Sequence, residues 1–157
     1  MEEGERRDGF SKRLNPAAWV RAFKCNSVYI TRYRSMRIPV SIRTSYTMAD
    51  KQALIDSGAT DNFMHPRFAQ QMGIGAKPLP KPRKIWNIDG TMNKGGFLTH
   101  YADVDVQTKG IHKEMRFLLT DLGGEDLILG YPWLATFEPA ITWKTATIDT
   151  NALPVVI

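Results

Sequence analysis

The feature that most restricts this chain is a two-residue alternation of apolar and polar side chains that recurs along much of its length. Met36, Ile38, Val40 and Ile42 alternate with Arg37, Pro39, Ser41 and Arg43. Successive side chains of an extended strand point to opposite faces, so the pattern describes a strand with one face buried and the other in water. Pro39 has no N–H to give to a ladder, which assigns the strand to an edge. Ala102, Val104 and Val106 alternate with Asp103 and Asp105 in a second strand. Ile111 to Leu119 follows, with Met115, Phe117 and Leu119 on one face, and Ile141 to Ile148 reads as a further β-branched strand. Asp89-Gly90 between apolar flanks is a hairpin signal, because a two-residue turn needs φ > 0 at both positions. Helical signals are few and short. Pro66 to Met72 has proline in its first turn, Phe68 and Met72 one turn apart and Gly73 as a stop, and a second short helix starts at Pro132-Trp133-Leu134. Many short strands, little helix and frequent Gly and Pro predict an all-β, closed β-barrel-like domain with one or two short helices.

Size and charge bound what such a domain can do. The 157 residues suffice for one core, and a chain of this length buries only about two-thirds of its unfolded surface, so a partner subunit would add stability. The net charge of +5 is uneven: residues 1–37 hold nine Lys/Arg against four Asp/Glu, whereas residues 38–157 hold twelve of each. The basicity therefore belongs to a leader, residues 1–35. That leader reads either as a solvated linker or as an arm able to dock on nucleic acid or an acidic surface; Trp19, Phe23 and Tyr29 give it some packing potential. The longest apolar runs, Leu127-Ile128-Leu129 and Val155-Val156-Ile157, are too short to span a bilayer, and no secretion signal is read at the start. A lone cysteine, Cys25, excludes an internal disulfide and a Cys-based metal cluster. A cytoplasmic location without membrane contact is expected.

The segment with chemical content is Ala53-Leu54-Ile55-Asp56-Ser57-Gly58-Ala59-Thr60. An apolar strand that ends in Asp holds a carboxylate where water is scarce, which favours its protonated form. Gly58 lets backbone approach that carboxylate without a Cβ in the way, and Ser57 supplies a donor and an acceptor that can lock a loop. Asp-Ser-Gly is also ordinary turn chemistry, and on the tripeptide alone the turn reading comes first. Downstream, a second apolar strand ends in glycine at Leu127-Ile128-Leu129-Gly130 and leads into Tyr131-Pro132-Trp133-Leu134, with a hairpin tip at Ile88-Asp89-Gly90-Thr91 between. His65, His100 and His112 are too scattered for a helical metal motif, and no metal or other cofactor is expected. No Gly-x-Ser-x-Gly elbow surrounds a serine. Gly95-Gly96 and Gly123-Gly124 lack a phosphate-loop pattern and read as turns. Trp86, Trp133 and Trp143 read as core or flap residues, and Asp61 either as a substrate contact near the Asp56 loop or, more simply, as a solvated surface acid.

Apolar-apolar-Asp-Ser-Gly-Ala, then a flap hairpin, then Ile-Leu-Gly before a short helix is a layout that resembles the retropepsins. Ile128 to Leu134, followed by Pro139-Ala140-Ile141-Thr142-Trp143-Lys144, is particularly similar to proteases of Gypsy-class LTR retrotransposons. The resemblance covers residues 36–148 and implies a retropepsin-like domain over 36–150, with a tail at 151–157 that is either a dimer strand or a plain terminus. It implies a homodimer in which each subunit gives one Asp, here Asp56. Ser57 would bond across the dimer axis, the Gly58 amide would support the carboxylate pair, and Ala59 would complete the loop. Ile88, Asp89 and Gly90 would belong to the flap that closes over substrate, and Gly130 would pack behind the catalytic loop. Where retroviral members place an arginine that braces the dimer, this chain has Tyr131. Only one apolar-Asp-Ser-Gly segment occurs in the sequence, so a two-lobed site within it is excluded by count. The activity implied is that of an aspartic endopeptidase acting on extended, polyprotein-like peptides; the alternative is an inactive retropepsin-fold module for dimerisation or binding.

Overall fold

The computed structural model describes residues 35–149 except Ile88. The basic leader with Cys25 and any nucleic-acid contact it makes, the tail 151–157 and Ile88, expected in the flap, lie outside the described residues. The elements in chain order are β1 (Arg37–Arg43), β2 (Met48–Ile55), β3 (Asn62–Met64), α1 (Pro66–Gln71), β4 (Lys77–Trp86), β5 (Met92–Thr108), β6 (Ile111–Leu119), β7 (Leu127–Leu129), α2 (Tyr131–Phe137), β8 (Ala140–Thr142) and β9 (Thr147–Asp149).

Seven strands form one sheet in the order β1-β2-β7-β3-β6-β5-β4. Ser41, Ile42 and Arg43 of β1 also pair with Gln107, Val106 and Asp105 of β5, which closes six strands into a barrel and leaves β4 outside it. The all-β, closed-barrel expectation is thus met. Alternation in β1 works as read: Ile38, Val40 and Ile42 are at most 2% exposed while Arg37 and Pro39 face water. Each fully buried side chain of this kind contributes about 1.5–3 kcal/mol relative to exposure. Pro39 is tolerated for a geometric reason. The Ile55 amide donates to the Met36 carbonyl, so the backbone groups of residues 36, 38, 40 and 42 face β2, and those of Pro39 face the other way. On that side β5 begins to pair only at Ser41. The strand is an edge in its first half and the barrel seam in its second.

Ala102, Val104 and Val106 of β5 point into the core beside Met115 and Phe117 of β6, while Asp103 lies opposite Arg116 on the outer face. The Arg116 guanidinium donates to both oxygens of Asp103 at 2.8 and 3.0 Å. Those bonds hold the Asp103 carboxyl below the usual carboxylate range. α1 has Pro66 in its first turn and accepts a cap from His65, whose Nδ1 takes the Arg67 amide at 3.1 Å. α2 closes the barrel end with Trp133 and Phe137 fully buried, their rings 5.2 Å apart.

Two expectations are corrected. The run Ile141 to Ile148 is not one strand but the hairpin β8–β9, turning through Trp143 to Ala146. Ala146 adopts φ 52°, a left-handed conformation for which Thr-Trp-Lys-Thr-Ala-Thr carries no Gly or Asn as a signal. Trp143 therefore sits 63% exposed on that turn, in neither core nor flap. At the tip of the β4–β5 hairpin the loop has three residues, not two: the Asn87 amide donates to Thr91 and the Gly90 amide to Asn87. Gly90 supplies the left-handed residue, with φ 78°, as a three-residue hairpin loop requires.

Candidate active site

The topology brings Asp56 and Gly130 together. β2 and β7 are parallel neighbours, with Leu54 beside Ile128 and Ile55 beside Leu129. The two strands end level, and the Asp56 amide donates to the Leu129 carbonyl at 3.0 Å. The chain then leaves β2, passes over the end of β7 and returns as β3 on the far side of β7. Residues 56–61 are thus a strap across the point where Gly130 leaves the sheet. Two carbonyls of the strap press on that point: a Cβ on Gly130 would stand 2.2 Å from the Asp61 oxygen and 2.6 Å from the Ala59 oxygen. No side chain fits there, which gives the glycine ending β7 its physical reason.

Hydrogen bonds tie the strap from within. Gly58 N–H donates to Asp56 Oδ1 at 2.9 Å, the Ala59 amide to the Asp56 carbonyl at 3.2 Å, and the Tyr131 amide to the Ala59 carbonyl at 2.8 Å. A Cβ on Gly58 would lie 3.3 Å from Asp56 Oδ1, so the close approach of amide to carboxylate suits a residue with no side chain. Beneath the strap lies Asn62, 1% exposed. Its Oδ1 accepts the Gly130 amide at 2.9 Å and its Nδ2 donates to the Arg116 carbonyl at 3.4 Å. Asn62 was not anticipated, although a signal exists: it shares the buried face of β3 with Met64, and a polar residue on a buried face must find partners.

A cleft of about 810 Å³ runs between the strap and the β4–β5 hairpin. Asp56, Gly58 and Ala59 line its floor, and Asp89 lies on the hairpin side with Arg83, Trp86 and Asn87. Ser57 and Gly90 are exposed and do not line it. Asp56 is exposed in the single chain, so the desolvated position expected for it is not provided by this subunit: the apolar strand stops at Ile55, and the strap lifts the carboxylate to the surface. Asp89 accepts both the amide and the hydroxyl of Thr91, at 2.9 and 2.6 Å. These bonds, the hydroxyl's first, hold its carboxyl below the usual range. Asp61 is not a simple solvated acid. Arg83 of β4 donates to its two oxygens at 3.3 and 2.9 Å, and Thr60 Oγ1 donates to it at 3.1 Å.

Comparison with known proteins agrees with this architecture. The family model for the PEG10/RTL1 protease domain matches residues 52–153. The retroviral protease-like domain of Ddi1 from Leishmania major is similar at 17% identity with a TM-score of 0.54, over 78% of this chain and 92% of that one. The EIAV protease complexed with the inhibitor HBY-793 gives 21% identity and a TM-score of 0.44 over 66% and 88% of the two chains. A retropepsin-like aspartic protease from Rickettsia conorii gives 16% identity and 0.45 over 68% and 75%. Among the described residues no helix is long and apolar enough to cross a membrane.

Proposed function

The chain belongs to the PEG10/RTL1 protease-domain family, a group of Gypsy-derived retropepsins, and we propose that it is an aspartic endopeptidase whose active site forms between two copies of itself. One observation carries the reading. Asp56 stands exposed on the floor of the cleft with one oxygen held by the Gly58 amide, whereas the other two cleft carboxylates are engaged elsewhere, Asp61 by Arg83 and Asp89 by Thr91. Peptide hydrolysis by aspartates needs two carboxylates that share a proton: one takes a proton from the attacking water while the other donates to the scissile carbonyl. A second copy of the strap, related by a two-fold axis, supplies that second carboxylate and shields the first from water.

Gly58 is the positioning element. Its amide fixes the orientation of the Asp56 carboxylate at no cost in reorganisation when charge shifts during the reaction. The substrate is an extended peptide of a polyprotein-like chain, laid between floor and flap, bonded through its backbone and sorted by side-chain pockets.

The test is a cleavage assay over protein concentration. Wild type is expected to cut a peptide library with activity rising more steeply than linearly until the dimer saturates, with inhibition by pepstatin. Asp56→Asn is expected to remove cleavage, a loss of at least about a thousandfold, while its circular dichroism and thermal midpoint stay near those of wild type. An Asp56→Asn protein that still cuts at the wild-type rate refutes the assignment. Wild type that dimerises by sedimentation yet cuts nothing is instead a binding module of this fold.

A further inference from the structure

Arg83 and Asp61 meet at the wall of the cleft, one from the hairpin above and the other from the strap that carries Asp56. We propose that this pair sets substrate specificity: Arg83 selects a peptide side chain rich in hydrogen-bond acceptors, glutamate above all, at one position close to the bond that is cut and, through the second copy, at its two-fold-related position across the cut. The inference rests on the reading of Asp56 as half of a peptidase site.

The register of the hairpin aims Arg83 inward. Arg83 pairs with Leu98, which is 3% exposed, whereas its neighbour Lys84 pairs with Phe97, which is 51% exposed. Arg83 therefore shares the face of buried Leu98 and Lys84 that of exposed Phe97, and both line the cleft. The pair itself is asymmetric in what it leaves for a ligand. Asp61 receives three donors, two from Arg83 and one from Thr60, which takes most of the roughly four acceptor sites of a carboxylate. Arg83 spends two N–H groups on Asp61, and a guanidinium has about five. What the wall still offers is donors. Its side chain is 51% exposed, against 27% for Asp61, so the donor partner is also the more accessible one.

The consequence for a peptide follows from the chemistry of the two groups. A glutamate carboxylate meets a planar, permanently charged fork that can hold two of its lone pairs at once, and such charge-assisted bonds are about twice as strong as neutral ones. Glutamine meets the same donors with one neutral acceptor. A lysine ammonium brings only donors, meets a like charge on Arg83 and finds Asp61 already occupied. The expected order at this position is Glu, then Gln, then Lys.

The experiment uses a matched peptide series in which a single position, scanned over three residues on each side of the cut, is Glu, Gln or Lys, with the peptides competing in one tube. Wild type is expected to favour Glu over Lys in kcat/KM by about tenfold or more at one position or at its two-fold counterpart across the cut. Arg83→Met removes the donors and frees the Asp61 oxygens, so the preference should reverse towards Lys at that position and its two-fold counterpart and no other. Asp61→Asn keeps the donors and should retain the preference for Glu. A pair that only braces the fold would lower all peptides together in both variants. No Glu preference in wild type at any position, or a ratio unchanged by Arg83→Met, overturns the proposal. If wild type cuts nothing, the same ratios are read from peptide binding to each protein by fluorescence anisotropy: a Glu preference abolished by Arg83→Met sustains this assignment while the peptidase reading fails, and equal or absent binding ends both.

Discussion

The strap that carries Asp56 and the hairpin that faces it enclose one cleft, yet they are built in opposite ways. The strap is held by partners distant in sequence: Asp56 by Leu129, Ala59 by Tyr131, and the Gly130 amide by Asn62, all over a floor where Leu129 is fully buried and Asn62 nearly so. The tip of the hairpin is held by its own neighbours: Asn87 bonds Thr91 and Asn93, and Asp89 bonds Thr91. Trp86, Met92 and Phe97 along it are at least half exposed, and its pairing slips register twice. Segments with few buried contacts open at low free energy, while core-anchored ones open only with the whole domain. The proposed peptidase reaction, with a carboxylate fixed in place and a lid that admits a peptide, would draw on both kinds of construction, and Arg83 to Asp61 is a side-chain link between them.

The contrast can be broken most severely at Gly130. Gly130→Ala puts a methyl group against two backbone carbonyls that cannot rotate away, and overpacking of this kind costs about 3 kcal/mol or more. Chemical denaturation should show that loss, and failure to fold is the extreme outcome; a midpoint equal to wild type would mean that the strap is far more compliant than its bonds indicate. Asn62→Leu comes next. It leaves the buried Gly130 amide without an acceptor, at a cost of roughly 1–3 kcal/mol, and should also displace the strap, so that peptide cleavage falls by more than stability alone explains.

Acid should then weaken the barrel at the carboxylates that lead into β7. Lys51 Nζ bonds Asp126 at 2.9 Å, and this bond first, with Arg67 adding to it, holds the Asp126 carboxyl below its ordinary value; Arg37 does the same for Glu125. A carboxyl whose folded pKa is depressed contributes stability that is fully present above its unfolded pKa and is lost as pH falls through the folded one. The thermal midpoint should accordingly drop below about pH 4, and Asp126→Asn should flatten that drop while lowering the midpoint at neutral pH. The smallest effect is expected at Asp89. Asp89→Ala removes two bonds within the exposed tip, so the denaturation midpoint should not move, whereas amide exchange at Gly90 and Thr91 should quicken. A midpoint that shifted with Asp89 would show that the tip is coupled to the core after all.

Much of the barrel was legible because its cause is local. The buried faces of β1, β5 and β6 follow from the period of two, and both helices begin where proline suits a first turn. The strand ending in Asp56 and the one ending in Gly130 were also recognisable one at a time. The turn at Trp143 to Ala146 was not, because Ala146 takes a left-handed conformation with no residue type to announce it. The exposure of Asp56 was missed for another reason: an apolar approach says how a strand is buried, not where the loop after it emerges.

What the sequence determined by itself is therefore which faces of the strands are buried, where glycine and proline interrupt them, and that one Asp-Ser-Gly closes an apolar strand. Tertiary structure decided which ends meet. β2 and β3 flank β7, and only that arrangement sets Asn62 against Gly130 across 68 residues and Arg83 against Asp61 across 22. Periodicity and turn chemistry act over a few residues, whereas these contacts depend on which strands become neighbours once the whole apolar surface has been buried together.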